Sequence, residues 1–365
     1  MTALIRKFVE CESPSDDAAA VNRFVDLVAD TVTPYASVKT KPGGQYGRLL
    51  TAEMKLPGRK KDGQVLALGH SDTVWPMGTL HGMPFREAGG RLWGPGVLDM
   101  KAGIVFFLFA VQGLRELEIP ATAKVVLQLN PDEEVGSEVS RPLTEKNAAA
   151  SRAVLVLEPG TGLTGKLKTA RKGVGDFTVT VRGKASHAGV DFGAGASAIV
   201  ELARQINQIA GFTEADKGIT VNPGVIQGGT RTNVVAAEAR AEIDIRVLRL
   251  KDAPVLEKRF RALKPYDERC RIEVTGGLNR PPMERSAGIV RLFKIAQRLA
   301  AGFGVDVEES LTGGGSDGNF TAALGIPTLD GLGAVGEGAH AANESILVER
   351  MADRTALIGK LLASI

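Results

Sequence analysis

In the first part of the chain, short apolar runs end in polar clusters: Val65-Leu-Ala-Leu, Val125-Val-Leu-Gln-Leu and Ala153-Val-Leu-Val-Leu. Such runs predict parallel strands buried on both faces, and helical spacing over Ile104 to Leu117 and around Leu143 to Ala150 separates them. The alternation predicts an α/β/α sandwich with its chemistry at the carboxyl ends of the strands. After about residue 172 the pattern changes. Phe177, Val179 and Val181 alternate with polar residues, as in a strand with one wet face. A helix at Ala196 to Ala210, strands near Ile219 to Gln227 and Val234 to Val247, a helix near Ala253 to Leu263 and a strand near Arg271 to Thr275 follow. That order, βαββαβ, is the ferredoxin-like split motif. Past a hinge at Pro281-Pro282, a helix (Ala287 to Ala301), a strand near Pro327 and a closing helix (Leu347 to Leu362) resume the first pattern. The expected organisation is a discontinuous domain of residues 1–171 and 283–365 carrying an inserted domain of residues 172–282.

With 365 residues the chain exceeds what one hydrophobic core usually supports, in keeping with two domains. A formal charge of +3 without a long basic run, and only three Tyr and two Trp for stacking, argue against a nucleic-acid partner. Cys11 and Cys270 fit neither a disulfide framework nor a thiolate metal cluster. The N-terminal segment mixes charge into helical spacing, unlike a signal peptide, and the apolar stretch Ile104 to Val111 is too short to span a bilayer. A soluble, cytoplasmic protein without a membrane partner is expected.

Acidic and imidazole groups stand just after the predicted strands. They are His70 and Asp72 in Gly-His-Ser-Asp-Thr, Asp99 in Val-Leu-Asp-Met-Lys, Glu133-Glu134 in Pro-Asp-Glu-Glu, Glu158 in Leu-Glu-Pro-Gly, and His340 in Gly-Ala-His-Ala-Ala-Asn-Glu. Two imidazoles and three of these five carboxylates suit a borderline cation such as zinc, and one carboxylate shared between two ions would give a pair of sites. In an extended segment His70 and Asp72 share a face, so the carboxylate can orient the imidazole from behind. Adjacent Glu133 and Glu134 would diverge from an extended backbone, one holding metal and the other serving as general base beside a water acidified by the cation.

These segments, in this order and over nearly the whole chain, resemble the zinc peptidases that include glutamate carboxypeptidase (carboxypeptidase G), aminoacylase, acetylornithine deacetylase and succinyl-diaminopimelate desuccinylase. The resemblance implies two zinc ions per subunit, with manganese or cobalt as substitutes. It makes Asp99 the bridging ligand, His70 and Glu158 ligands of one ion, Glu134 and His340 ligands of the other, and Glu133 the general base. A cis peptide at Asp99-Met100 is implied as well. In the inserted domain, Lys184-Ala-Ser-His187, Gly228-Gly-Thr-Arg-Thr-Asn233 and Asp244-Ile-Arg246 are further landmarks. They imply a lid and homodimerisation domain in which His187 stabilises an oxyanion in the partner's site, Arg246 grips a substrate carboxylate and Asn233 orients the amide. The run Gly313-Gly-Gly-Ser-Asp-Gly, with Gly314 at its centre, would form the substrate floor. The implied activity is cleavage of an amide next to a free carboxylate in a small peptide or N-acyl amino acid. The glycine-rich stretches Thr312 to Gly318 and Leu329 to Gly338, with Glu158 at the third ligand position, look closest to glutamate carboxypeptidase; N-acyl amino acid amidohydrolase is the alternative.

A lone Asp or Glu after a strand is usually a turn or cap residue, and the ordered set is what outweighs that reading here. His81 reads as a loop residue, and Lys166 and Lys168 as solvated lysines that could instead meet an acidic substrate. Gly160-Thr-Gly-Leu-Thr-Gly165-Lys166 nearly matches a phosphate-binding loop, but Leu167 stands where a Ser or Thr is needed. A nucleotide-binding protein is therefore a distant rival, as is a non-enzymatic relative, whose ligand set would be broken.

Overall fold

The computed structural model describes residues 1–58 and 61–365. The chain divides into two compact units. The first comprises Met1–Ala170, Arg285–Thr312 and Ser316–Ile365; the second comprises Arg171–Glu284 with Gly313–Gly315.

A six-stranded sheet forms the first unit, in the order Ala36–Pro42, Arg48–Met54, Lys124–Asn130, Gln64–His70, Ala153–Val156, Thr328–Leu329. The last four strands run parallel; Arg48–Met54 runs antiparallel to both of its neighbours, Lys124–Asn130 and Ala36–Pro42. Alternate residues of the apolar runs feed two different cores. Val65, Ala67, Val125, Leu127, Ala153 and Leu155 face a large cluster built with the helices Thr2–Glu10, Ala18–Val32, Ala102–Glu116, Ala287–Ala301 and Met351–Ser364. Leu66, Leu68, Val126, Val154 and Val156 face a smaller one that includes Ala148 of the helix Arg141–Ala149. Both faces are covered, so the strands lack polar alternation. In this register His70 pairs with Asn130, and the segments that follow these strands meet at one edge of the sheet.

By length and composition alone, Val97–Glu116 could cross a membrane, yet 78% of that window is buried inside the protein. Asp99 and Met100 interrupt it with non-helical dihedrals. The uninterrupted helix is Ala102–Glu116, about 22 Å long at 1.5 Å per residue, against a hydrocarbon layer of about 30 Å.

The second unit is βαββαβ: strand Gly173–Arg182, helix Ala198–Ala210, strands Thr220–Gly228 and Glu238–Val247, helix Ala253–Arg261 and strand Arg271–Arg280. Its antiparallel sheet has the third of these strands next to the first, with the second and fourth at the edges. Phe177, Val179 and Val181 pack with Ala241, Ile243 and Ile245 beneath the two helices, where Phe177 stacks on Phe260 at 4.0 Å. The strand expected from Val234 begins only at Glu238, because Val235 N–H donates instead to the Ser186 carbonyl in a loop crossing. The last strand runs on to Arg280, past its expected end.

Candidate metal centre

His70 ends its strand with a buried imidazole. Nδ1 lies 2.9 Å from the Asp72 carbonyl oxygen, closer than the 3.4 Å to the Asp72 carboxylate, so the backbone carbonyl is its nearer partner. A proton on Nδ1 leaves the Nε2 lone pair facing Asp99 Oδ1 at 3.1 Å and Glu158 Oε1 at 3.4 Å. On the other side, His340 Nε2 lies 3.4 Å from Asp99 Oδ2 and 3.3 Å from Glu134 Oε2. The two oxygens of Asp99 thus face different imidazoles. Glu133 joins as well, with its carboxylate, Glu158 and His70 offering ligand atoms within 4.8 Å of one another.

Electrostatics show what this donor set lacks. Burial depresses the His70 pKa, but hydrogen bonds with Asp72, Asp99 and Glu158 raise it well above the usual value. Hydrogen bonds with Asp99 and Glu134 push His340 up to about 10. Burial alone would raise Asp99, yet the two histidines hold it below the usual carboxylate range. Glu134 is raised by burial against the pull of His340, and its Oε1 is buried with no hydrogen-bond partner among the described residues. Lone pairs converging in this way call for positive charge between them. Imidazole nitrogens and carboxylate oxygens in this mixture fit zinc or a similar divalent cation.

Supports lie directly behind. Asp72 accepts from Ser15 Oγ at 2.7 Å and from the backbone N–H groups of Glu133 and Glu134 at 3.3 and 3.1 Å. The two glutamates sit in a single 3-10 turn, Glu133–Val135, and not in the extended segment expected; the turn, pinned by Asp72, sets their directions. The Asp99-Met100 peptide is cis. Glu344 clasps the Asp99 loop, accepting from the N–H groups of Gly96, Leu98 and Asp99 and from the Trp75 indole. Asp317 accepts from Asn130 Nδ2 at 2.6 Å and from the Ser137 hydroxyl, joining its loop to the segment that carries Glu133. Sequence reasoning gave Ser15, Asn130, Asp317 and Glu344 no role. Glu344 shares a short segment with His340 and Asn130 immediately precedes the Pro-Asp-Glu-Glu segment, but that proximity alone did not mark a role.

His187, Asn233, Arg246 and Gly314 belong to the second unit. His187 Nδ1 accepts from the N–H groups of Gly189 and Val190, both at 3.1 Å, which assigns the ring proton to Nε2. The Asn233 carbonyl accepts from Ala188 N–H at 2.9 Å. Arg246 grips Asp244 with Nε and Nη2, at 2.9 and 2.7 Å, and donates from Nη1 to the Gly313 carbonyl at 3.3 Å. Arg171 Nη1 donates to the carbonyls of Gly314 and Gly315, so in this glycine run it is the carbonyls that arginines engage. His81 Nδ1 lies 3.0 Å from the Gly78 carbonyl in its own loop. Lys166 pairs with Glu308 at 2.5 Å, and Lys168 is buried. Thr161 and Lys166 close a tight turn into the strand Leu167–Arg171, where a phosphate-binding loop would open a helix.

The chain is 30% identical to carboxypeptidase G2 of Pseudomonas sp. (strain RS-16), over 92% of this chain and 82% of that protein. Its fold matches the crystal structure of aminopeptidase PepT from Bacillus cereus with a TM-score of 0.81 at 23% identity, over 99% and 97% of the two chains. It also matches a Bacillus subtilis protein described as a dinuclear metal-binding peptidase of the M20 family, with a TM-score of 0.68 at 15% identity, over 99% and 96%. The model of Peptidase family M20/M25/M40 covers residues 66–364, and with this fold and donor cluster the chain belongs to that family of metallopeptidases and amidohydrolases.

Proposed function

We propose that the protein is a dinuclear zinc exopeptidase that cleaves the amide bond preceding a C-terminal amino acid, with glutamate as the favoured residue. The observation that carries this reading is Asp99, whose two oxygens face His70 and His340 while Glu133 stands beside the same cluster. His70, Glu158 and Asp99 would hold one cation, and His340, Glu134 and Asp99 the other. Manganese or cobalt would suit the same donors. Bound cations supply Lewis acidity, which polarises an amide carbonyl and makes water a stronger acid.

The chain's own groups do the rest. Glu133 takes a proton from the attacking water onto its carboxylate and returns it to the leaving nitrogen. Asp72 fixes the turn that aims Glu133 and, with its carbonyl, the proton on His70 Nδ1. Arg246 transfers its fork from Asp244 to the substrate carboxylate, Asn233 orients the amide, and Gly314 lines the floor. The inserted domain acts as lid and dimer contact. In the dimer, His187 of the partner subunit offers its Nε2–H to the developing oxyanion. Exposed Ile199, Val200, Val225 and Ile226 on a helix and an edge strand support pairing of this unit with a copy of itself. A cytoplasmic setting suits Cys11 and Cys270, which are free thiols. The preference for glutamate draws on the relative named carboxypeptidase G2.

The test is hydrolysis of C-terminal dipeptides, benzoyl-glutamates and N-acetyl amino acids by metal-free protein, with and without zinc. Zinc-dependent release of C-terminal glutamate is expected. Preference for N-acetyl amino acids would move the enzyme to the aminoacylases, and no zinc-dependent cleavage would overturn the reading. Light scattering tests the dimer.

A further inference from the structure

At the amino ends of the central strands the first unit holds a cavity of about 570 Å³, within the range of small-molecule sites. Three of its lining residues mark that end of the sheet. Asp62 stands just before the strand Gln64–His70, Ala153 opens the strand Ala153–Val156, and Pro327 precedes Thr328–Leu329. The candidate metal ligands follow the opposite ends of these strands. Seven residues at about 3.3 Å each put roughly 20 Å between the cavity and His70. Whatever enters the cavity leaves the metal centre uncovered.

Part of the lining is apolar, formed by Ala153, Pro327 and, on the helix Ala287–Ala301, Leu292 and Ile295. The polar part is held in place. Arg152 Nη2 donates to Thr122 Oγ1 at 2.7 Å, that hydroxyl donates to the Ile365 carbonyl at 2.9 Å, and Asp62 N–H donates to the Thr122 carbonyl at 2.8 Å. The Asp62 carboxylate lies 3.5 Å from Arg152 Nη1, so the charge of Arg152 is answered where it stands. Arg291 is the third charged side chain of the lining. Among the described residues it has no carboxylate partner and no side-chain hydrogen bond, and it stands one position before Leu292.

A guanidinium fork beside aliphatic side chains matches a carboxylate joined to an apolar body. The fork can take both oxygens, while the body covers Leu292 and Ile295. A cationic ligand would find only Asp62, which already faces Arg152. We propose that this cavity is a second binding site, for a small monocarboxylate with an aryl or alkyl body, separate from the site of hydrolysis. Its occupancy needs neither metal nor substrate, so it stands apart from the exopeptidase reading.

The experiment titrates 4-phenylbutyrate into the metal-free protein while the methyl NMR signals of Leu292 and Ile295 are followed. 4-Phenylbutyramide and 4-phenylbutylamine carry nearly the same body with a neutral and a positive head. R291Q removes the charge at an exposed helix position and leaves the core untouched. Saturable shifts at both residues are expected, with the carboxylate binding about tenfold or more tighter than the amide or the amine, and R291Q losing that advantage. Loading with zinc should leave the affinity unchanged. Unmoved signals, equal binding of the amide or amine, or full affinity in R291Q overturns the site. An affinity that depends on zinc would return the ligand to the metal centre and overturn it as well.

Discussion

Glu344 Oε1 accepts a hydrogen bond from the backbone N–H of Asp99 at 3.1 Å, four residues along the chain from His340. One carboxylate therefore ties the loop of the proposed bridging ligand to the loop of the most distant one. In E344Q the shape survives, but an amide NH2 would face backbone N–H or indole donors. Zinc affinity should fall about 10- to 100-fold, as happens when groups supporting metal ligands are removed. Chelator competition on the metal-free protein measures this, with E337Q, which alters a surface pair with Arg91, as control. Equal zinc affinities in E344Q and the wild type would sink the idea.

For Glu133 the expectation is a clean separation of chemistry from binding. E133Q should lower kcat by about 10²- to 10⁴-fold, the span of general acid–base contributions, and leave the zinc stoichiometry of the wild type. Turnover and metal content of the same preparation are the two readings. Substantial activity in a fully loaded E133Q protein would remove the base assignment.

Gly103 lies in the buried helix Ala102–Glu116 against the carbonyl of Leu157, the residue before Glu158. A methyl group there would collide with that oxygen and come within 3.2 Å of the Gly333 α-carbon. G103A should cost about 1–3 kcal/mol in urea unfolding, as overpacking does. Gly113, ten positions on in the same helix, has open space around it, and G113A should instead gain about 0.5–1 kcal/mol from helix propensity. Opposite signs at the two glycines are the expected outcome.

Acid sensitivity is expected from the Glu309–Arg285 pair. Arg285 grips both oxygens of Glu309, at 2.7 and 2.8 Å, and holds its carboxyl at about 2, below the ordinary 4.5. A carboxylate depressed in the folded state stabilises it fully above the unfolded value and loses that contribution as pH falls from about 4.5 to about 2. Urea midpoints at pH 6 and pH 3 should differ less in E309Q than in the wild type. The same difference in both would deny the pair its role.

Sequence and structure agree best where burial is uniform. The strands ending at His70, Asn130 and Val156 stand out as apolar because both of their faces are covered, and the candidate ligands stand out because they follow those strands immediately. The edge strand Ala36–Pro42 gives no such signal: Lys39, Thr40 and Lys41 lie exposed and leave no apolar run. An extended backbone was the natural expectation for Glu133 and Glu134, since the 3-10 turn they occupy depends on Asp72, sixty-one residues away from the first of them. Glu344 is silent in the sequence because a glutamate in a polar loop has the same signature whether it faces water or four buried donors.

The tie between Glu344 and Asp99 also bears on the order in which the molecule is made. The second unit closes its core within one unbroken stretch, from Phe177 to Cys270, and so can form while the ribosome is still at work. The first unit cannot. His340 and Glu344 follow the stretch that builds the second unit's core, and until they emerge, the carboxylates from Asp99 to Glu158 stand together without their second imidazole or the clasp on their loop. Competence to take up metal at both proposed positions thus waits on residues made after the whole stretch that builds the core of the second unit.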